Sequence, residues 1–274
     1  MNKISRLMTL GTLAAFALTS VAMVRLRADS PAVSIVPAGL ECLAKVYGGR
    51  TVPAAPKERS DLSRFLILSN DTRILWDDHI DKSFDEKLAR PDLEDTLSIP
   101  YPLTDNYLPL SINFDPGRFR SMALLKAVYG DTQSDVKKNL TSITWAPSGK
   151  KIRFNRQLGA AAALQQVGKQ LAGMNGVTRY VKNLGGTFNW RVIKDTNRLS
   201  PHSFGIAVDI NTTFSDYWKW AAPGLDPLPY RNRIPMSVVR AFERNGFIWG
   251  GKWYHYDTMH FEYRPEFFCT SDEK

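Results

Sequence analysis

The chain contains four histidines, and three of them, His202, His255 and His260, fall in its C-terminal third beside Asp209 and Asp257. Imidazoles and carboxylates gathered in one stretch suit a metal ion. A catalytic zinc needs three protein ligands drawn from His, Asp, Glu or Cys and one open position. The segment Ser200-Pro-His-Ser-Phe-Gly-Ile-Ala-Val-Asp209 offers His202 and Asp209, seven positions apart. Asp257-Thr-Met-His260 offers a third ligand, His260.

These side chains can act together only if the backbone brings them to one face. Gly205 permits a bend or a close approach to the metal, and Ile206–Ile210 reads as a strand that puts Ala207 and Asp209 on one side. Asp257 and His260 are three residues apart, so a regular strand would turn them to opposite faces. A bend or bulge between them is therefore required. Asp257 is then left free to act as general base toward the attacking water. His255 either supports this base, contacts substrate or packs among Trp253 and Tyr254. Trp249 and Trp253 either wall the cleft or belong to the core. Ser200 and Ser203 flank His202 without a Gly-x-Ser-x-Gly elbow, which sets aside a serine nucleophile.

The ordered set Ser200-x-His202-x-x-Gly205-x-Ala207-x-Asp209, Trp249-Gly-Gly and Asp257-x-x-His260 resembles the D-alanyl-D-alanine carboxypeptidase and L-alanyl-D-glutamate endopeptidase family, zinc peptidases of the bacterial wall. The resemblance covers roughly residues 154–265. It implies an α+β fold in which a small antiparallel sheet carries the ligands and helices pack on one side, with an N-terminal extension. It implies Zn2+ as cofactor, His202, Asp209 and His260 as metal ligands, and Asp257 as catalytic base. Arg191 best matches the family's oxyanion-stabilising arginine, and Arg198 is the competing choice. Ser200, Trp249, Trp253 and His255 are candidate substrate contacts. The implied partner is the stem peptide of peptidoglycan. An L-Ala–D-Glu endopeptidase is expected, with a D-alanyl-D-alanine carboxypeptidase as alternative. A non-catalytic zinc-containing wall-binding module, like the related hedgehog signalling domain, is the alternative from another class.

The rest of the chain is consistent with an exported protein. Lys3 and Arg6 precede an uncharged apolar run, Leu7 to Val24, read as a signal peptide or an uncleaved membrane anchor. The expected organisation is residues 1–27 as signal or anchor, 28–115 as linker and N-terminal extension, and 116–270 as catalytic domain, placed in the periplasm or cell envelope. A formal charge of +9 favours anionic partners, and without a clustered basic tract or a nucleic-acid module those are wall polymers and lipid head groups rather than nucleic acid. Two cysteines, Cys42 and Cys269, suggest in an oxidising compartment one disulfide joining the chain's ends, the alternative being two buried thiols. Periodicity predicts a short helix at 40–46, a hairpin over 64–76, a helix ending at Gly130, strands 141–145 and 151–154, a helix over 156–174 and another between Pro235 and Gly246.

Overall fold

The computed structural model describes residues 36–53, 64–221, 224 and 227–269. The expected signal or anchor lies outside them. Among the described residues no helix is long and apolar enough to cross a membrane.

The chain opens with helix α1 (Ala38–Tyr47), which ends at Gly48 in the left-handed region. An antiparallel sheet of β1 (Arg50–Pro53), β2 (Arg64–Ile67) and β3 (Arg73–Leu75) follows, so the expected hairpin gains a third strand. Leu40, Leu43, Leu66 and Ile74 bury against one another, with Leu124 from further along the chain. Two short helices come next, α2 (Phe84–Ala89) and α3 (Leu93–Leu97), each started by a reciprocal capping box, Ser83 with Glu86 and Asp92 with Asp95.

Helices α4 (Met122–Tyr129) and α5 (Gln133–Asn139) lead into the hairpin β4 (Leu140–Trp145) and β5 (Lys150–Asn155). Helix α6 (Ala160–Ala172) buries Ala161, Leu164, Val167 and Leu171 along one face. It starts four residues later than its periodicity predicts, because Leu158 and Gly159 adopt positive φ of 51° and 76°. A single turn, α7 (Thr178–Val181), follows.

A second three-stranded antiparallel sheet has the order β6 (Ala207–Asp209), β8 (His260–Tyr263), β7 (Phe247–Trp249). Between its strands come a single turn, α8 (Trp218–Ala221), and helix α9 (Met236–Glu243). Phe242 of α9 stacks on Phe261 of β8 with ring centroids 3.8 Å apart. Side chains alternate along β8, so α9 covers the face opposite His260 and Glu262. The fold is α+β, with helices on one side of the small sheet and polar chemistry on the other. Cys42 in α1 and Cys269 beyond β8 form a disulfide, their Cα atoms 6.0 Å apart.

Candidate active site

The sheet register does the positioning. Ala207 pairs with Glu262 and Asp209 with His260, so these four residues share one face. On its other edge Asp209 is clamped by the 185–186 segment, donating its N–H to Gly186 O at 2.9 Å and accepting from Gly185 N at 2.7 Å. His202 sits in a 3-10 turn, Pro201–Phe204, whose Ser200 hydroxyl accepts from the His202 N–H. Gly205 ends that turn at φ 67°, and a Cβ there would meet Leu140 Cδ2 at 2.6 Å. Glycine is thus required between the first two candidate ligands. The side chain of Asn155 secures the turn by donating to Phe204 O at 2.9 Å.

Three potential ligand atoms meet at one point. His202 Nε2 lies 3.2 Å from Asp209 Oδ1 and 3.3 Å from His260 Nδ1, and His260 Nδ1 lies 3.0 Å from Asp209 Oδ1. Bonds of about 2.0–2.1 Å to a tetrahedral ion would separate its ligand atoms by about 3.3 Å. The donor set therefore fits zinc both in chemistry and in spacing. His202 Nδ1–H donates to Thr187 O at 2.6 Å, which fixes the tautomer and leaves Nε2 its lone pair. On the far side of His260, Nε2 faces the carboxylate of Glu262 at 3.8 Å.

The electrostatics follow from burial and pairing. Burial opposes ionisation of Asp209, but hydrogen bonds from His202 and His260 prevail and hold its carboxyl well below the usual range. Burial likewise disfavours a charged His260, yet Asp209 and Glu262 push it up to about 9. Asp257 behaves in the opposite way. Burial, helped by the charge of Asp209, pushes its carboxyl up to about 6. Its Oδ1 is buried and has no hydrogen-bond partner among the described residues. Between Asp257 and His260 the chain makes a turn, with His260 N–H donating to Asp257 O at 3.2 Å. That turn is the bend which the three-residue spacing demands.

His202, Asp209, His260 and Asp257 open into one cleft of about 210 Å³, also lined by Ser200, Trp253, His255, Arg191 and Arg198. His255 is held by Asp115, with Nδ1 2.6 Å and its backbone N–H 3.0 Å from the two carboxylate oxygens. Trp253 donates its indole N–H to Pro116 O and places its ring 5.7 Å from that of His260. Trp249 is a correction. It is fully buried, donates its indole N–H to Thr258 O, and faces α9 rather than the cleft because it pairs with Phe261 on the core side of the sheet. Arg191 lies exposed on the rim, its backbone tied to the hydroxyl of Ser203. Arg198 is partly buried, and burial together with repulsion from Arg120 and Arg118 brings its pKa down to about 10. Among the described residues its guanidinium has no carboxylate partner.

Sequence reasoning missed Glu262, Asp115, Arg118 and Arg120. Glu262 was legible in the alternation His260-Phe261-Glu262, which sends the first and third side chains to one face. Asp115 and Arg120 lie 140 and 142 residues upstream of their partners His255 and Glu262, and Arg118 pairs with Asp115, so nothing local ties the three to the site.

Residues 194–263 match the family model described as D-alanyl-D-alanine carboxypeptidase. No curated protein and no solved structure matches the chain. The matched segment contains His202, Asp209, Asp257 and His260 together. Residues 194–263, the segment that carries the candidate ligands and base, are thus similar to the D-alanyl-D-alanine carboxypeptidase family of peptidoglycan-acting metallopeptidases.

Proposed function

We propose that this protein is an exported zinc peptidase that hydrolyses a peptide bond in the stem peptide of peptidoglycan, with an L-Ala–D-Glu endopeptidase as the first reading. The carrying observation is the conjunction in one cleft of three ligand atoms at tetrahedral spacing and a buried carboxylate oxygen without a partner. A structural salt bridge would leave no such oxygen unsatisfied.

His202, Asp209 and His260 would hold the ion, which when bound supplies Lewis-acid polarisation of a carbonyl and a water of near-neutral pKa. Asp257 accepts the proton of the attacking water at its free Oδ1 and returns it to the leaving amine. A pKa near 6 suits both steps at neutral pH, since the group is ionised before attack yet basic enough to take the proton. Arg191 on the rim supports negative charge developing on the carbonyl oxygen, and Trp253 and His255 shape the wall against which the peptide lies.

A specific observation keeps the D,D-carboxypeptidase reading alongside. The partly buried guanidinium of Arg198, without a counter-ion among the described residues and repelled by two neighbouring arginines, is costly unless an anion comes to it. Both candidate bonds supply one. The terminal D-Ala bears a free α-carboxylate by its position, and D-Glu bears one because the stem continues through its γ-carboxyl. Arg198 is assigned to that carboxylate on the leaving side. Digestion of purified peptidoglycan, with products identified by mass, tests the reading: zinc-dependent release of D-Glu amino ends supports the endopeptidase and release of D-Ala the carboxypeptidase. A folded, zinc-loaded protein that releases neither would sink both and favour the wall-binding module.

A further inference from the structure

The family match begins at residue 194, yet a short run far upstream of it is bonded to the segment that bears Asp257 and His260. Phe114 O accepts from Tyr254 N at 2.8 Å, and Pro116 O accepts from Trp253 Nε1 at 2.7 Å. Gly117 O accepts from Arg264 Nη1 at 2.9 Å. Gly117 itself has φ 82°, and a Cβ on it would meet Ile248 Cδ1 at 2.3 Å, so the strap lies directly on the sheet. Two side chains of this run then reach the chemistry. Asp115, fully buried, takes both the backbone N–H and the Nδ1–H of His255. Arg120 grips the fully buried Glu262, with Nε 2.9 Å from each carboxylate oxygen and Nη2 2.6 Å from Oε2.

We infer that Asp115 and Arg120 are positioning residues of the hydrolytic site: Asp115 fixes the His255 ring in the cleft wall, and Arg120 fixes the Glu262 carboxylate behind the candidate ligand His260. A buried ion pair is weak evidence for stability, since well-packed apolar residues often serve as well. A carboxylate behind a metal-ligating imidazole has a different use, because it orients the ring and raises its basicity. Glu262 stands in that place, held by the forked grip of Arg120 and by a longer contact, 3.3 Å, from Arg264 Nη1 to its Oε1. With Nδ1–H engaged by Asp115, His255 has Nε2 left for the cleft. The upstream region therefore contributes to the site itself, beyond lengthening the chain. The Asp115 half rests on the proposed hydrolysis, whereas the Arg120 half rests only on the metal site.

The test uses the full chain and three measurements. Zinc affinity is read by competition with a chromogenic chelator for wild type, R120K and the double variant R120Q/E262Q, which leaves no unpaired charge and is the form expected to fold. The double variant should bind zinc about 10–100-fold more weakly, with R120K in between. D115N should keep zinc affinity within about twofold, because its amide accepts only one of the two His255 N–H groups and weakens the ion pair with Arg118, and neither His255 nor Arg118 is a candidate ligand. Its kcat for peptide release from purified peptidoglycan should fall about tenfold with KM unchanged, and the slowly exchanging His255 Nδ1–H signal in the imidazole 15N spectrum should be lost. A folded double variant with wild-type zinc affinity overturns the role of Arg120. An unchanged His255 signal in D115N overturns the role of Asp115. If wild type binds zinc but releases no peptide, the proposed function fails while the zinc and spectral measurements still decide the positioning roles.

Discussion

Asp257→Asn separates the catalytic from the structural role of one carboxylate. In the folded protein its carboxyl is pushed up to about 6, chiefly by burial, against an unfolded value of about 3.9. A carboxyl that binds its proton more tightly when folded destabilises the fold once ionised, so between about pH 4 and pH 6 stability falls as pH rises. Above pH 6 the full cost applies. A difference of about two pH units corresponds to about 2–3 kcal/mol at neutral pH in zinc-free protein. Asn carries no charge to desolvate and is nearly the same size, so D257N should melt at the same temperature or a few degrees higher. Its activity should change in the opposite sense. Loss of a general base typically costs 10²–10⁴-fold, or about 3–5 kcal/mol in the barrier. Calorimetry on zinc-free protein and kcat on zinc-loaded protein, measured on the same preparations, give both numbers. Activity within tenfold of wild type in a folded, zinc-loaded D257N would refute the assignment of the base. A large fall in melting temperature would show instead that the carboxylate holds the structure together.

Other outcomes follow from the same geometry. In wild type, kcat/KM should rise with pH through a limb at or below about 6, since Asp257 must ionise and a bound dication can only lower its pKa; a pH–rate profile that shows the limb unchanged in D257N would contradict this. Arg198→Gln should lower kcat/KM about 10–100-fold on peptides whose leaving residue bears a free α-carboxylate and less than threefold on the amidated analogue, and equal losses on both would remove the carboxylate assignment. Gly205→Ala should cost about 1–3 kcal/mol through its positive φ and its contact with Leu140, as read by denaturant titration, and zinc affinity should weaken with it; a neutral effect would mean that the turn bearing His202 is not constrained. Cys42→Ser should lower stability by about 2–5 kcal/mol under oxidising conditions and have no effect under reducing ones, because the bond closes a sequence separation of 227 residues.

Much of this molecule was legible in its sequence where the signal is local. The hairpin β4–β5 follows from two apolar runs around Pro147-Ser148-Gly149, and α6 from its apolar face, although two consecutive residues of positive φ delay its start. The sharing of one face by Ala207 and Asp209 followed from alternation, and the sheet register extends that face to His260 and Glu262. Helices α2 and α3 were overlooked despite their capping boxes, because each is too short to display a period. Trp249 stayed open between cleft and core for a related reason: its residue type suits both equally, and only its pairing with Phe261 decides which face it takes. The strap of Asp115 and Arg120 was beyond reach, since its bonds join residues 140 and 142 positions apart. Asp115-Pro-Gly read only as a turn before a helix. Buried polar contacts of such long range leave no periodic trace, and no local rule pairs one arginine rather than another with a given glutamate.

The most direct test of the central claim is mass-spectrometric analysis of purified peptidoglycan after incubation with the zinc-loaded protein, with chelator-treated protein and with zinc restored after chelation. The account predicts stem-peptide fragments with new D-Glu amino ends or free D-Ala, lost on chelation and regained with zinc. Release that persists without any metal, or no release by folded protein carrying one zinc per chain, would contradict it.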